Sequence, residues 1–221
     1  MDKSFQNDIV IGIDVGSNRK GFHAVALKGG CYLNKFNSLE AKKVLEWCRG
    51  NCANVIGIDA PCRWSASREG KGSARKAECE LAQKGISCFA TPNKEKAENN
   101  LGFYGWMING ARLYQVIEAD YPLFAGGNAP LGPTCFETFP QAVACALAGK
   151  VVSAKNKCTV RRRLLCQAGI NTEPLTNIDF VDAALCALAA HRFQIGKFNI
   201  FGEKKDGFIV VPRWSQKYIN M

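Results

Sequence analysis

Apolar residues fall along this chain in two spacings, short unbroken runs and longer stretches of helical period. Residues 9–14, Ile-Val-Ile-Gly-Ile-Asp, form an unbroken run that ends at a Gly-bearing turn, the pattern of a buried central strand. Residues 21–27 and 31–36 follow, separated by Lys28-Gly29-Gly30, a hairpin signal, so the chain opens as a three-stranded antiparallel meander. Ser38 is placed to cap a helix running to about Cys48, with Leu39, Val44, Leu45, Trp47 and Cys48 as packing residues. Residues 55–59 read as a second buried strand, halted by Pro61. Strands, a helix and a further strand predict an α/β sheet.

The middle of the chain is less regular. Residues 65–73 read as a polar loop, followed by helices over 74–84 and about 103–119 and a Pro- and Gly-rich stretch at 121–133. Residues of about 62–133 are therefore expected to form a helical insertion within one domain spanning 1–221. Residues 135–139 are a third buried-strand candidate, and Pro140 suits the first turn of a helix that runs to Gly149. Helices are predicted over 159–168 and 178–193, with a last short strand at 208–211. No internal repeat is visible.

Composition narrows the class. At 221 residues and 47% hydrophobic content, the chain can bury a core without disulfides or a structural metal. No run approaches the roughly 18 apolar residues of a membrane span, and Met1–Asp8 is short and polar, so no membrane association or secretory signal is expected. The 11 cysteines are scattered without the spacing of zinc ribbons or redox motifs. They are expected to be reduced thiols of a cytoplasmic protein. A net charge of +10 favours a polyanionic partner, nucleic acid or nucleotide. Two basic groups stand out, Lys155, Lys157, Arg161, Arg162 and Arg163, and Arg63, Arg68, Lys71, Arg75 and Lys76.

The acids fall at informative places. Asp14 ends the first strand, Asp59 ends the second buried strand and Glu137 lies in the third. Ends of adjacent strands converge on one edge of a sheet, where open α/β sheets bind ligands. Asp179 and Asp182 are three apart at the start of the last long helix and share a face. Gathered acids repel unless a cation or proton neutralises them, and oxygen-only donors suit Mg²⁺ or Mn²⁺. His23 and His191 are the only histidines, which argues against zinc. Trp47, Trp64, Trp106 and Trp214 read as packing residues, Trp64 being the best candidate for stacking on a base. Gly70 and Gly72 lack the spacing of a phosphate loop.

These residues carry a resemblance. Gly12-Ile-Asp14-Val-Gly16 before a hairpin resembles the opening of ribonuclease H-like domains such as Holliday-junction resolvases. The whole chain resembles the domain of unknown function 429 family, described as predicted nucleases of that fold. The matching pieces are Gly12-Ile-Asp14, Ile58-Asp59-Ala-Pro61, Arg75 with Glu78 and Glu80, Phe89-Ala-Thr91-Pro92 and Glu137-Thr-Phe-Pro140. Lys157, Arg161, Leu164-Leu165, Asp179-Phe-Val-Asp182-Ala183-Ala184 and Ile209-Val-Val-Pro212 follow in the family's order.

The resemblance implies three antiparallel strands extended by parallel strands, with helices on both faces. It implies hydrolysis of phosphodiesters with two Mg²⁺ or Mn²⁺ ions. Asp14, Asp59, Glu137 and Asp182 would be the catalytic ligands, with Asp179 beside Asp182. Lys157, Arg161 and Arg75 would hold phosphate. The last-helix motif departs from the family's paired acids, since Ile178 precedes Asp179. Two alternatives stay open, a non-catalytic nucleotide- or nucleic-acid-binding module of the same fold, and a phosphotransferase of the actin and sugar-kinase superfamily. Oligomeric state and the choice among DNA, RNA and small nucleotides are not legible.

Overall fold

The computed structural model describes residues 8–66 and 74–214. The polar loop expected at 65–73, with Arg68, Lys71, Gly70 and Gly72, falls largely outside the described residues.

Seven strands form one sheet in the order β3-β2-β1-β4-β5-β7-β6. The meander expected from the N-terminal pattern is present as β1 (Ile9–Val15), β2 (Phe22–Lys28) and β3 (Cys31–Ser38), each antiparallel to the next. β4 (Ala53–Asp59) runs parallel to β1, and β5 (Thr134–Glu137) runs parallel to β4. β7 (Gly207–Pro212) continues the parallel set, and β6 (Phe198–Glu203) closes that edge as a hairpin with β7.

Helices cover both faces. On one lie α5 (Pro140–Ala148), α6 (Lys157–Gln167) and α7 (Ile178–Gln194), packed against Val10, Val25, Val55 and Phe136. On the other lie α1 (Ala41–Gly50) and α4 (Leu101–Ile117), packed against Ile11, Ile13, Ile56 and Ile58. α2 (Lys76–Gln83) packs beside β6, and the short α3 (Lys94–Glu98) lies against α4. Among the described residues, the segment between β4 and β5 therefore carries three helices.

Three sequence expectations shift. Ser38 does not cap α1; it ends β3, and its hydroxyl accepts from the Glu40 amide at 3.0 Å, bending the chain into a helix that begins at Ala41. β6 was not expected, because an edge strand half-exposed at Phe198, Asn199 and Ile200 leaves only a weak apolar pattern. α3 was too short to show a period.

The helix that sets the architecture is α7, apolar around nearly its whole circumference and buried from Phe180 to Ala190. It lies directly on the sheet because β1 and β4 present glycine beneath it. A Cβ at Gly12 would stand 1.9 Å from the Ala187 amide nitrogen, and one at Gly57 would stand 2.7 Å from the Cys186 carbonyl oxygen. Glycine in a strand interior weakens the strand, and close approach of another backbone is the compensating gain. Gly12→Ala should therefore cost about 3 kcal/mol or more by overpacking. Gly105→Ala, on a stretch of α4 where a Cβ would meet nothing within 4 Å, should gain about 0.5–1 kcal/mol. Thermal melts of the two variants beside the wild type check both.

A candidate acid cleft on the face of helix α7

Strand alternation decides which acids can meet. In the parallel pair of β1 and β4, Asp14 is the register partner of Asp59. Asp14 shares its face with Gly12 and Asp59 shares its face with Gly57, and both glycines lie under α7. The two carboxylates thus stand side by side at the ends of the central strands, facing α7. The first turns of α7 bring Asp179 and Asp182 to the same place. Asn177 starts that helix by accepting from the Phe180 amide at 2.9 Å.

Asp14 is only 9% exposed. Burial, followed by repulsion from Asp182 and Asp179, pushes its carboxyl up to about 8. Burial also raises Asp59, helped by repulsion from Asp14 and Asp182. Among the described residues, neither Asp14 nor Asp59 has a hydrogen-bond or ion-pair partner. Asp182 differs. It is raised by burial but paired with Arg161, and the Lys157 ammonium stands 3.7 Å away. Arg161 is buried, donates to Gln141 Oε1 at 3.0 Å, and keeps its Nε without a partner. Asp179 accepts from Lys20 at 3.1 Å, reaching across from the β1–β2 turn.

Glu137 and Arg75 are not brought to this cleft. Phe136 packs on Phe193 of α7, so Glu137, the next residue, points to the opposite face of the sheet. There its two oxygens accept from Arg75 Nη1 at 2.7 Å and Nη2 at 2.5 Å, and Oε2 also accepts from the Cys62 amide at 2.8 Å. Arg75, 1% exposed, completes its donor set with Glu78 Oε1 at 2.9 Å and the Asp206 carbonyl at 3.3 Å. Glu78 in turn accepts from the Thr91 hydroxyl at 2.5 Å. The geometry is that of a buried brace joining β5, α2 and the 88–92 loop. It leaves Arg75 no free edge for phosphate and Glu137 no free oxygen for a cation.

One neighbour was not anticipated. His23 is the antiparallel register partner of Asp14 and shares its face, edge-on to Phe180 at 4.8 Å between ring centroids. Its Nδ1 is buried without a partner among the described residues, and burial lowers its pKa. The turn between residues 16 and 20 centres the hairpin, so counting back from it would have placed His23 opposite Asp14.

The donor chemistry of the cleft suits a hard divalent cation in part. Two unpartnered carboxylates on adjacent strands match a cation that keeps several waters and completes its shell with substrate phosphate. Among the described residues, no three His, Cys, Asp or Glu side chains gather closely enough to hold an ion in this arrangement. Asp182 joins the pair only if it leaves Arg161.

The sheet order, the antiparallel meander extended by parallel strands and the helices on both faces define an α/β protein of the ribonuclease H-like class. The chain belongs to the family described as Protein of unknown function (DUF429), whose family model matches residues 12–206 and so spans Asp14 to Asp182. No curated protein matches it. Among solved structures it is similar to a RuvC structure from Thermus thermophilus, at 17% identity and a TM-score of 0.41, over 85% of this chain and 96% of that one. All 11 cysteines are free thiols. No helix among the described residues is long and apolar enough to cross a membrane.

Two stability predictions follow from this charge arrangement. Arg75→Ala leaves Glu78 and Glu137 buried and unpaired and should cost about 3–5 kcal/mol in urea unfolding. Asp14 behaves in the opposite sense. Its raised folded-state pKa means that the contribution of Asp14 to stability is fully present below about pH 4 and is lost as pH rises towards 8. In EDTA at pH 8.5, Asp14→Asn should melt roughly 4–8 °C above the wild type, a gain on the order of 2 kcal/mol. At pH 4 the two should melt together.

Proposed function

We propose that the chain cleaves phosphodiester bonds of a nucleic acid with the help of Mg²⁺ or Mn²⁺ held by Asp14 and Asp59. The observation that carries this reading is the pair of carboxylates on adjacent central strands, unpartnered among the described residues, with Asp14 buried and pushed up to about 8 and Asp59 partly buried beside it. A fold has no use for that repulsion, whereas a bound cation reverses it. Such a cation supplies Lewis-acid stabilisation of charge on a phosphodiester and a lowered pKa for bound water.

The remaining residues divide the work. Asp182 is the third ligand in waiting, and Arg161 and Lys157 neutralise it until phosphate gives their charges another partner. Lys157, with about half of its side chain exposed, is the group best placed to follow a phosphate. Lys20 holds Asp179 and with it the first turn of α7.

A second reading, a nucleic-acid-binding module without catalysis, draws on the same Asp182 pairing. With Arg161 in place, the cleft offers two carboxylates in place of three.

End-labelled single- and double-stranded DNA and RNA incubated with Mn²⁺ or Mg²⁺ separate the two. The wild type should cut in a reaction stopped by EDTA, and Asp14→Asn and Asp59→Asn should each lose roughly 10²–10³-fold in rate while remaining folded. Mn²⁺ should also raise the melting temperature of the wild type at pH 8.5 and leave that of Asp14→Asn unchanged. Lys157→Ala should reduce the salt slope of binding by about one. Salt-dependent binding with no cutting under either metal selects the binding module.

A further inference from the structure

On the other side of Asp59 lies a small, half-open pocket of about 40 Å³, walled by Asp59, Pro61, Thr138, Phe89 and Trp106. Its floor is the brace described above, in which the Arg75 guanidinium lies between Glu78 and Glu137 and occupies their oxygens. Thr138 is 1% exposed, and its hydroxyl has no partner among the described residues.

The rim is aromatic and open. Phe89 is 63% and Phe103 52% exposed, although both are residues that globular proteins bury. Their rings meet edge to face at 5.9 Å, and Phe89 meets Trp106 at 6.3 Å, also edge to face. An edge-to-face contact covers one face of one ring and leaves the remaining faces open, and a free aromatic face next to a pocket is a stacking surface. Trp106, which the sequence pattern assigned to packing, thus stands at the pocket wall.

We infer that this pocket and its aromatic rim receive an unstacked nucleobase next to the phosphate at Asp59, which makes the substrate a single-stranded or locally unpaired nucleic acid. The inference rests on the proposed phosphodiesterase reading for the position of the phosphate. Three observations select a base over an apolar partner surface. The pocket shares Asp59 with the acid cleft, so an occupant is bound next to phosphate chemistry. Its buried, unsatisfied Thr138 hydroxyl is a hydrogen-bonding group that an apolar side chain would leave unmet. The chain carries a net +10, with Lys20 and Lys157 exposed at the cleft, which complements a polyanionic backbone. A paired duplex keeps its bases stacked and presents none to the rim.

Fluorescence anisotropy with a labelled 12-nucleotide single strand and a blunt duplex of the same sequence tests this on the full chain. Measurements are made in EDTA, so that no cutting intervenes. The wild type should bind the single strand more tightly than the duplex. Phe89→Ala should weaken the single strand roughly 5- to 100-fold, leave the duplex unchanged, and be rescued by Phe89→Trp. Phe89 is surface-exposed, so an unchanged melting temperature is expected for both variants and confirms that folding is not the cause. Equal affinity of wild type and Phe89→Ala for the single strand overturns the inference, as does failure of the single strand to bind. Metal-dependent cutting retained at the wild-type KM by Phe89→Ala overturns the inference and leaves the phosphodiesterase reading standing. Phe89-dependent binding of single strands with no cutting by the wild type does the reverse.

Discussion

Everything at the candidate site depends on how closely α7 lies on the sheet. Gly12 and Gly57 leave no Cβ between the helix and the two central strands, and the Ala187 amide and Cys186 carbonyl occupy the space such groups would take. A helix seated at ordinary side-chain distance would lift Asp182 away from the ends of β1 and β4. The same contact buries Ala183, Ala184 and Ala187, and small residues there are the helix's half of the fit. The fold thus uses absent side chains on three elements to bring charged ones together at their ends.

That proximity creates an electrostatic imbalance, and the molecule resolves it unevenly. Asp182 and Asp179 have cations of their own in Arg161, Lys157 and Lys20. Among the described residues Asp14 and Asp59 have none, and burial and repulsion together drive them towards the protonated form. On the opposite face, two further carboxylates of the same neighbourhood both bond to a single buried arginine. The contrast separates an acid pair that a fold keeps for stability from one that it keeps open. A bidentate, fully buried pair loses several kcal/mol when broken, so Glu137 is committed to its brace.

The layout of the sheet was legible from the chain: the apolar runs, the Lys28-Gly29-Gly30 turn and the halt at Pro61 each appear where the pattern puts them. Asp14, Asp59, Asp179 and Asp182 were likewise visible, as acids ending apolar runs or opening an apolar helix. Glu137 was placed with them because strand ends converge, and Arg75 through its basic cluster and the family resemblance, but convergence says nothing of which face a side chain takes. In a strand of four residues buried on both faces, alternation leaves no polar mark to read, and only packing of Phe136 on α7 reveals the side. Arg75 was misleading for a related reason. A cation in a basic cluster looks solvent-facing until the fold brings two carboxylates to it from 3 and 62 residues away. His23 was hidden by register, which depends on how the turn closes and not on the strand sequence itself.

The segment between β4 and β5 then acquires a physical role. α4 approaches the end of β4 through Gly110, where a Cβ would stand 2.4 Å from that of Ala60, and Asn109 donates to the Gly16 carbonyl at 3.0 Å. One helix therefore fixes both the turn that carries Lys20 and the position of Trp106 beside Asp59. Charge lies on the α7 side of Asp59 and aromatic surface on the α4 side. A nucleotide is divided in the same way, with an anionic phosphate joined through a sugar to a flat ring. Holding both parts at once demands two walls of opposite character meeting at one residue, and the seat of α4 on Ala60 is what keeps the second wall in place.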